Sequence, residues 1–194
     1  MLSLLIDTSN AYLSCGLAKD HEYLAGVHYE AWQRQSEMLV EEIDKLFKNN
    51  NIQPKELNEV IVSKGPGSYT GVRIGLTVGK IVAASLNIPL YLVSSLEGLK
   101  ENGKKCLCVS NARNKRSYVA IYKDNECLLE DTIWTNEEVT NYLKENPDVV
   151  IRGDLRYLGK EEEEPNTLLI LKNLDDEKHL CKEPLGAKPV YLKD

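Results

Sequence analysis

Seven residues, Gly65-Pro66-Gly67-Ser68-Tyr69-Thr70-Gly71, constrain this chain more than any other stretch. Three glycines and a proline stand between the apolar run Val60-Ile61-Val62 and a long helical pattern. That order predicts a tight strand-to-helix connection whose backbone N–H groups approach something closely. No Gly-Lys-Ser/Thr closes the loop, which excludes a Walker A phosphate loop. Spacing predicts the helix over 72–86, capped by Thr70 and closed by Asn87-Ile88-Pro89. Arg73 falls in its first turn, where a cation opposes the helix dipole unless it meets a carboxylate or phosphate. Gly71, Gly75, Gly79 and Ala83 recur every fourth residue and form one nearly bare stripe. A glycine inside a helix costs about 0.8–1.0 kcal/mol relative to alanine. The stripe therefore implies close approach of another helix, either that of residues 36–48 or one from another protein, with Val72, Leu76, Val78 and Val82 flanking the contact.

The rest of the first half follows the grammar of a layered α/β domain. Residues 1–6 form a buried strand ending at Asp7-Thr8-Ser9-Asn10, and 11–18 and 22–29 continue it as a meander of hairpins. Leu39, Val40, Ile43, Leu46 and Phe47 recur at helical spacing over 36–48, with Ser36 as the N-cap. Strands at 59–63 and 90–93 and a short helix at 94–100 follow, and Glu101-Asn102-Gly103 divides the chain into domains of 1–102 and 103–194. Beyond it, 104–110, 117–123, 127–134 and 148–151 read as strands. Thr135 and Glu138 form a capping box on a helix running to 143. The acidic run at 161–164 reads as a solvated segment.

Composition narrows the function. Lys and Arg number 24 against 30 Asp and Glu, a net charge of −6, which argues against sequence-independent nucleic-acid binding. Apolar residues at 42% exclude a disordered chain, and no apolar run is long enough to span a bilayer. Five cysteines without a CxxC pair argue against a disulfide framework and a zinc site. Asp7 interrupts the apolar start, so no signal peptide is expected and the cytoplasm is the expected compartment. His21, His28 and His179 lack metal spacing, Cys106 and Cys108 read as small buried residues on one strand face, and no catalytic residue or metal ligand set stands out. Asp7-Thr8-Ser9 either stabilises a turn or contacts phosphate or metal. The basic cluster Lys100, Lys104, Lys105, Arg113, Lys115, Arg116 and Lys123 either touches RNA phosphates or complements an acidic neighbour.

Together these residues resemble the bacterial TsaB (YeaZ) family of tRNA threonylcarbamoyladenosine biosynthesis. The strings that carry the resemblance are Leu5-Ile6-Asp7-Thr8-Ser9, the run from Gly65 through Gly71 to Val72-Arg73-Ile74-Gly75, and Pro189-Val190-Tyr191-Leu192. The resemblance implies an α/β actin-like (ASKHA) fold of two tandem subdomains with mixed sheets, the second one trimmed. It implies a non-catalytic scaffold or activator without a cofactor, in a heterodimer with TsaD, with TsaE as third component. It also implies a homodimer when alone, contact with tRNA through the complex, and no membrane association. The implied interface uses Ser36, Leu39, Val40 and Ile43 on one helix, and Val72, Gly75, Leu76, Gly79 and Ala83 on the next. A vestigial nucleotide or anion site is expected at Asp7, Thr8, Ser9, Gly67, Ser68, Thr70 and Arg73. Catalytic relatives hold a metal through two histidines on the first helix, and 36–48 contains none. Gln35 and Asn111 stand where the family usually has histidine and aspartate. Ser9 stands where actin-like ATPases have glycine. The alternative is a nucleotide-binding or ATP-dependent enzyme of the actin-like superfamily, to which Asp7 and the glycine loop would belong.

Overall fold

The computed structural model describes residues 1–31, 33–160 and 165–192. The acidic run at 161–164 lies outside the described residues. Two mixed sheets organise the chain. The first has the order β3-β2-β1-β4-β5, built from β1 (Leu2–Asp7), β2 (Tyr12–Lys19), β3 (Glu22–Glu30), β4 (Glu59–Ser63) and β5 (Leu90–Val93). The first three strands pair antiparallel, whereas β1–β4 and β4–β5 are parallel. The second sheet repeats this pattern without a fifth strand. Its order is β8-β7-β6-β9, from β6 (Lys105–Arg113), β7 (Arg116–Lys123), β8 (Glu126–Thr135) and β9 (Val150–Gly153).

Strand parity sorts the core of the first sheet into two layers. Leu4, Ile6, Leu13, Cys15, Val60 and Val62 face α1 (Gln35–Asn49) and α2 (Tyr69–Leu86). Leu5, Ala18, Ile61 and Val93 face the other way, onto Leu168 and Leu171 of the one-turn helix α4 (Leu168–Leu171) and onto Leu174. Each of these large side chains contributes roughly 1.5–3 kcal/mol by burial. In the second sheet, Leu107, Val109, Val119 and Ile121 pack with Val139 of α3 (Asn136–Glu145), and Cys106, Cys108, Ala120 and Tyr122 pack with Leu96 and Leu99. Burial raises the thiol pKa of Cys106 and of Cys108, so both behave as small apolar residues.

Several expectations change. α1 starts at Gln35 after Arg34, which provides no side-chain cap, so Ser36 is an exposed first-turn residue and not the N-cap. α2 starts three residues earlier than spacing predicts, because Ser68 caps it by accepting from the Gly71 N–H at 3.3 Å; Thr70 lies inside the first turn. Asn87 closes α2 at φ 53°, a left-handed position that asparagine tolerates. The helix expected over 94–100 is a single 3-10 turn at Glu97–Leu99. Thr135 and Glu138 form the predicted capping box on α3. The chain after Asn166, placed by its sequence in the second half, packs on the first sheet: beyond α4, the Cys181 N–H donates to Leu90 O and the Val190 N–H to Lys64 O, each at 2.8 Å.

Candidate functional site

The end of β1 and the glycine loop are built into one another. Asp7 is buried, and its Oδ1 accepts from the Ser9 N–H at 2.9 Å and the Ser9 hydroxyl at 2.7 Å, an Asx turn. Its Oδ2 is buried without a hydrogen-bond partner. Thr8 Oγ1 donates to Gly71 O at 2.7 Å and accepts from the Gly75 N–H at 3.0 Å, bridging α2 to the strand. The Ser68 N–H donates to Ser9 O at 2.7 Å. A Cβ on Gly67 would sit 2.2 Å from Ser9 O, and one on Gly71 2.0 Å from Thr8 O. The glycines therefore admit the chain's own strand end, and the loop is occupied where a phosphate cradle would need free N–H groups. Asp7, Thr8, Ser9, Gly67 and Ser68 come together as expected. Thr70 and Arg73 are exposed outside that cluster, and the Arg73 guanidinium lies 4.5 Å from the centre of the Tyr69 ring instead of meeting a carboxylate.

A cleft of about 320 Å³ opens beside this junction, between the two sheets. Ser9, Asn10, Gly67, Ser68 and Tyr69 line one side, and Ser110, Asn111, Arg113, Tyr118 and Asp154 the other. Asn111 Oδ1 accepts from the Arg113 N–H at 2.8 Å, and Asp154 pairs with Arg156 at 3.2 Å. Gln35 is buried and donates through Nε2 to Asn10 O at 2.8 Å and to Tyr12 O at 3.0 Å, so it ties the start of α1 to the β1–β2 turn.

The two helices expected to meet a partner present other residues than the stripe. Leu39, Ile43, Val72, Gly75, Leu76, Gly79 and Ala83 are buried in the chain's own core. A Cβ on Gly75 would lie 2.6 Å from Thr8 Oγ1, and one on Gly79 2.4 Å from Val62 Cγ2. The bare stripe thus lets α2 lie close on β1 and β4, which corrects the expectation of a helix or subunit on that face. What α1 and α2 offer outward includes Ser36, Val40 at 60% exposure and, on the side of α2 away from the stripe, Ile81 at 57%. Ile81 went unmarked in the sequence, although its helical angle relative to Gly79 would have located it.

Two constellations are visible only in three dimensions. Ser14 Oγ and His28 Nδ1 are 2.8 Å apart across β2 and β3, but Ser14 is buried mid-strand and neither residue lines the cleft. Such a pair cannot present a nucleophile to a substrate. Glu97 is buried among Lys100 (3.4 Å), Lys178 (3.1 Å) and His179 (2.9 Å). Burial alone would raise its carboxyl, but the hydrogen bond and charge of His179, then Lys178 and Lys100, outweigh it and hold the pKa at about 2. This network joins the inter-sheet link to the tail. Among the described residues no three His, Cys, Asp or Glu side chains form a metal-binding group, and no helix is long and apolar enough to cross a membrane.

Three comparisons set this geometry among known proteins. A family model described as "TsaD: tRNA N6-adenosine threonylcarbamoyltransferase" matches residues 17–142. A Bacillus subtilis protein named tRNA threonylcarbamoyladenosine biosynthesis protein TsaB is 32% identical over 193 residues, covering 97% of this chain and 78% of that one. The solved structure of YeaZ from Pseudomonas aeruginosa superposes with a TM-score of 0.82 at 20% identity, covering 98% of this chain and 99% of that one. The ethanolamine utilization protein EutJ from Carboxydothermus hydrogenoformans matches 90% of this chain and 88% of its own at TM-score 0.50 and 14% identity. Together with the paired mixed sheets, these likenesses support the actin-like architecture expected from the sequence.

Proposed function

We infer the function of this chain from its family: it belongs to the TsaB (YeaZ) family of tRNA threonylcarbamoyladenosine biosynthesis proteins. Its role lies in threonylcarbamoylation of the tRNA adenosine next to the anticodon, as a scaffold and activator that pairs with TsaD, with TsaE as third component. The transferase chemistry belongs to TsaD. Three features support a non-catalytic part. The glycine loop is filled by Ser9 O, Gln35 is committed to backbone carbonyls, and the Ser14–His28 pair is buried away from the cleft.

The observation that carries the pairing is the outward face of α1 and α2, where Val40 and Ile81 are more than half exposed on adjacent helices. Two large apolar side chains on neighbouring helices suit a helix-on-helix contact. The same face serves a homodimer when the partner is absent. Reconstitution tests the role: TsaD and TsaE should modify tRNA with this chain present and lose most activity without it, while this chain alone forms no product. Product from this chain alone would overturn the reading.

A further inference from the structure

Of the cations on or beside α1 and α2, Arg73 has no counter-charge among the described residues. Arg34 lies 3.6 Å from Glu37, Lys45 2.8 Å from Glu41 and Lys48 2.6 Å from Asp44, and Lys80 donates to Ala187 O at 2.9 Å. The Arg73 side chain makes no ion pair or hydrogen bond among the described residues, and α2 contains no carboxylate. It also stands in the first turn, where the helix dipole opposes a cation. The guanidinium is nonetheless held in place. It lies over the Tyr69 ring, 4.5 Å from its centre, and Tyr69 stacks on Tyr191 with ring centres 5.0 Å apart. Tyr191 comes from the tail, which the Val190 N–H fixes to Lys64 O at 2.8 Å. Stacking covers one face of the guanidinium and leaves its in-plane N–H fork available, the geometry that holds a carboxylate through two hydrogen bonds. Arg73 shares the outward face of α2 with Thr77 and Ile81, all three exposed. At 1.5 Å per residue it stands about 12 Å from Ile81 along the helix axis, a charged position beside an apolar one.

We propose that Arg73 is the polar anchor of the α1–α2 docking face and receives an aspartate or glutamate carboxylate of the partner protein, with Tyr69 and Tyr191 as positioning residues. That the partner is TsaD rests on the proposed role. A carboxylate at this place sets negative charge at the positive end of α2, so one group offsets both the guanidinium and the dipole. The surroundings favour a protein carboxylate over an RNA phosphate. Glu37, Glu41 and Asp44 are exposed on α1, both lysines of α1 are paired, and the chain carries a net charge of −6. A polyanion laid along this face would be repelled, whereas a single carboxylate beside an apolar contact would not. Arginine next to large apolar side chains is also a composition that interfaces between proteins favour.

The test is isothermal titration calorimetry of the full chain with TsaD. Arg73→Gln should raise Kd about 10- to 150-fold, the range for lost hydrogen bonds to a charged group. Arg73→Lys should recover only part of this, since an ammonium has no planar fork. Tyr69→Phe should bind like wild type and Tyr69→Leu should bind more weakly, which marks the ring as the support of the guanidinium. Added salt should weaken wild-type binding more than that of Arg73→Gln. In the absence of partner, Arg73→Gln should melt within about 4 °C of wild type, because the lost contact with Tyr69 and the relieved dipole are of similar size. A larger fall would assign Arg73 to folding and overturn the proposal. Wild-type affinity in both Arg73→Gln and Arg73→Glu would overturn it as well. So would salt-dependent binding of a labelled single-stranded RNA that Arg73→Gln removes while its Kd for TsaD stays at the wild-type value. Failure of the wild-type chain to bind TsaD would refute the pairing itself, whereas a complex indifferent to Arg73 would refute the anchor alone.

Discussion

Replacing Gly79 by alanine discriminates sharply between two meanings of the glycine stripe. In an exposed helix the change would stabilise by about 0.8–1.0 kcal/mol through helix propensity. Here the new Cβ would lie 2.4 Å from Val62 Cγ2, more than an ångström inside the ordinary carbon–carbon separation of about 3.5–4.0 Å. Val62 is fully buried, stiff at χ1 and fixed between parallel neighbours, so it cannot turn aside. Overpacking of this kind costs about 1–3 kcal/mol, and subtracting the propensity gain leaves a net loss of roughly 0–2 kcal/mol. At about 2–4 °C per kcal/mol for a chain of this size, Tm should fall by up to about 8 °C in a far-UV circular dichroism melt. Well below that melt, partner binding should be unchanged, because Gly79 is buried inside the fold. A raised Tm would mean that α2 stands off the sheet, and the reasoning about the stripe would fail.

Other perturbations follow from the same contacts. Thr8→Val removes the hydroxyl between Gly71 O and the Gly75 N–H and should cost about 1–3 kcal/mol in urea unfolding, since a buried donor loses its partner. Leu168→Ala should cost about 2–5 kcal/mol, showing that the late segment belongs energetically to the first sheet; a loss below 1 kcal/mol would contradict that placement. Glu97 has a folded pKa depressed to about 2 from 4.5, so its contribution is present above pH 4.5 and is lost as pH falls toward 2. That contribution is at most about 3 kcal/mol, and Glu97→Gln should flatten the acid limb of stability against pH by a comparable amount. An unchanged acid limb would show that the charged network around Glu97 contributes nothing.

How far the sequence could be read depended on what each signal encodes. Fully apolar strands such as Val60-Ile61-Val62 and the Thr135/Glu138 capping box were legible because local pattern determines them. The glycine stripe was legible as a face, but spacing carries no information about what covers that face. A strand end bearing Thr8 serves as well as a helix, and here it is Thr8 and Val62 that fill the space. The cap of α2 went to Ser68 because the loop turns earlier, around Ser9 O, than the apolar periodicity suggests. The Glu97–His179 contact spans 82 residues, and the position of the late segment against the first sheet is a tertiary result with no local pattern behind it. The cleft shared this limit, since Tyr69 and Arg113 line it together only once both sheets are folded.

The proposed pairing of this chain with TsaD through the outer face of α1 and α2 is tested most directly by light-scattering chromatography of the two proteins together. Wild-type chain and the Gly79→Ala variant should co-elute with TsaD as a heterodimer, and Ile81→Asp combined with Val40→Asp should elute separately while retaining the wild-type Tm within a few degrees. A complex that survives the double aspartate variant, or no complex with the wild-type chain, would contradict the account.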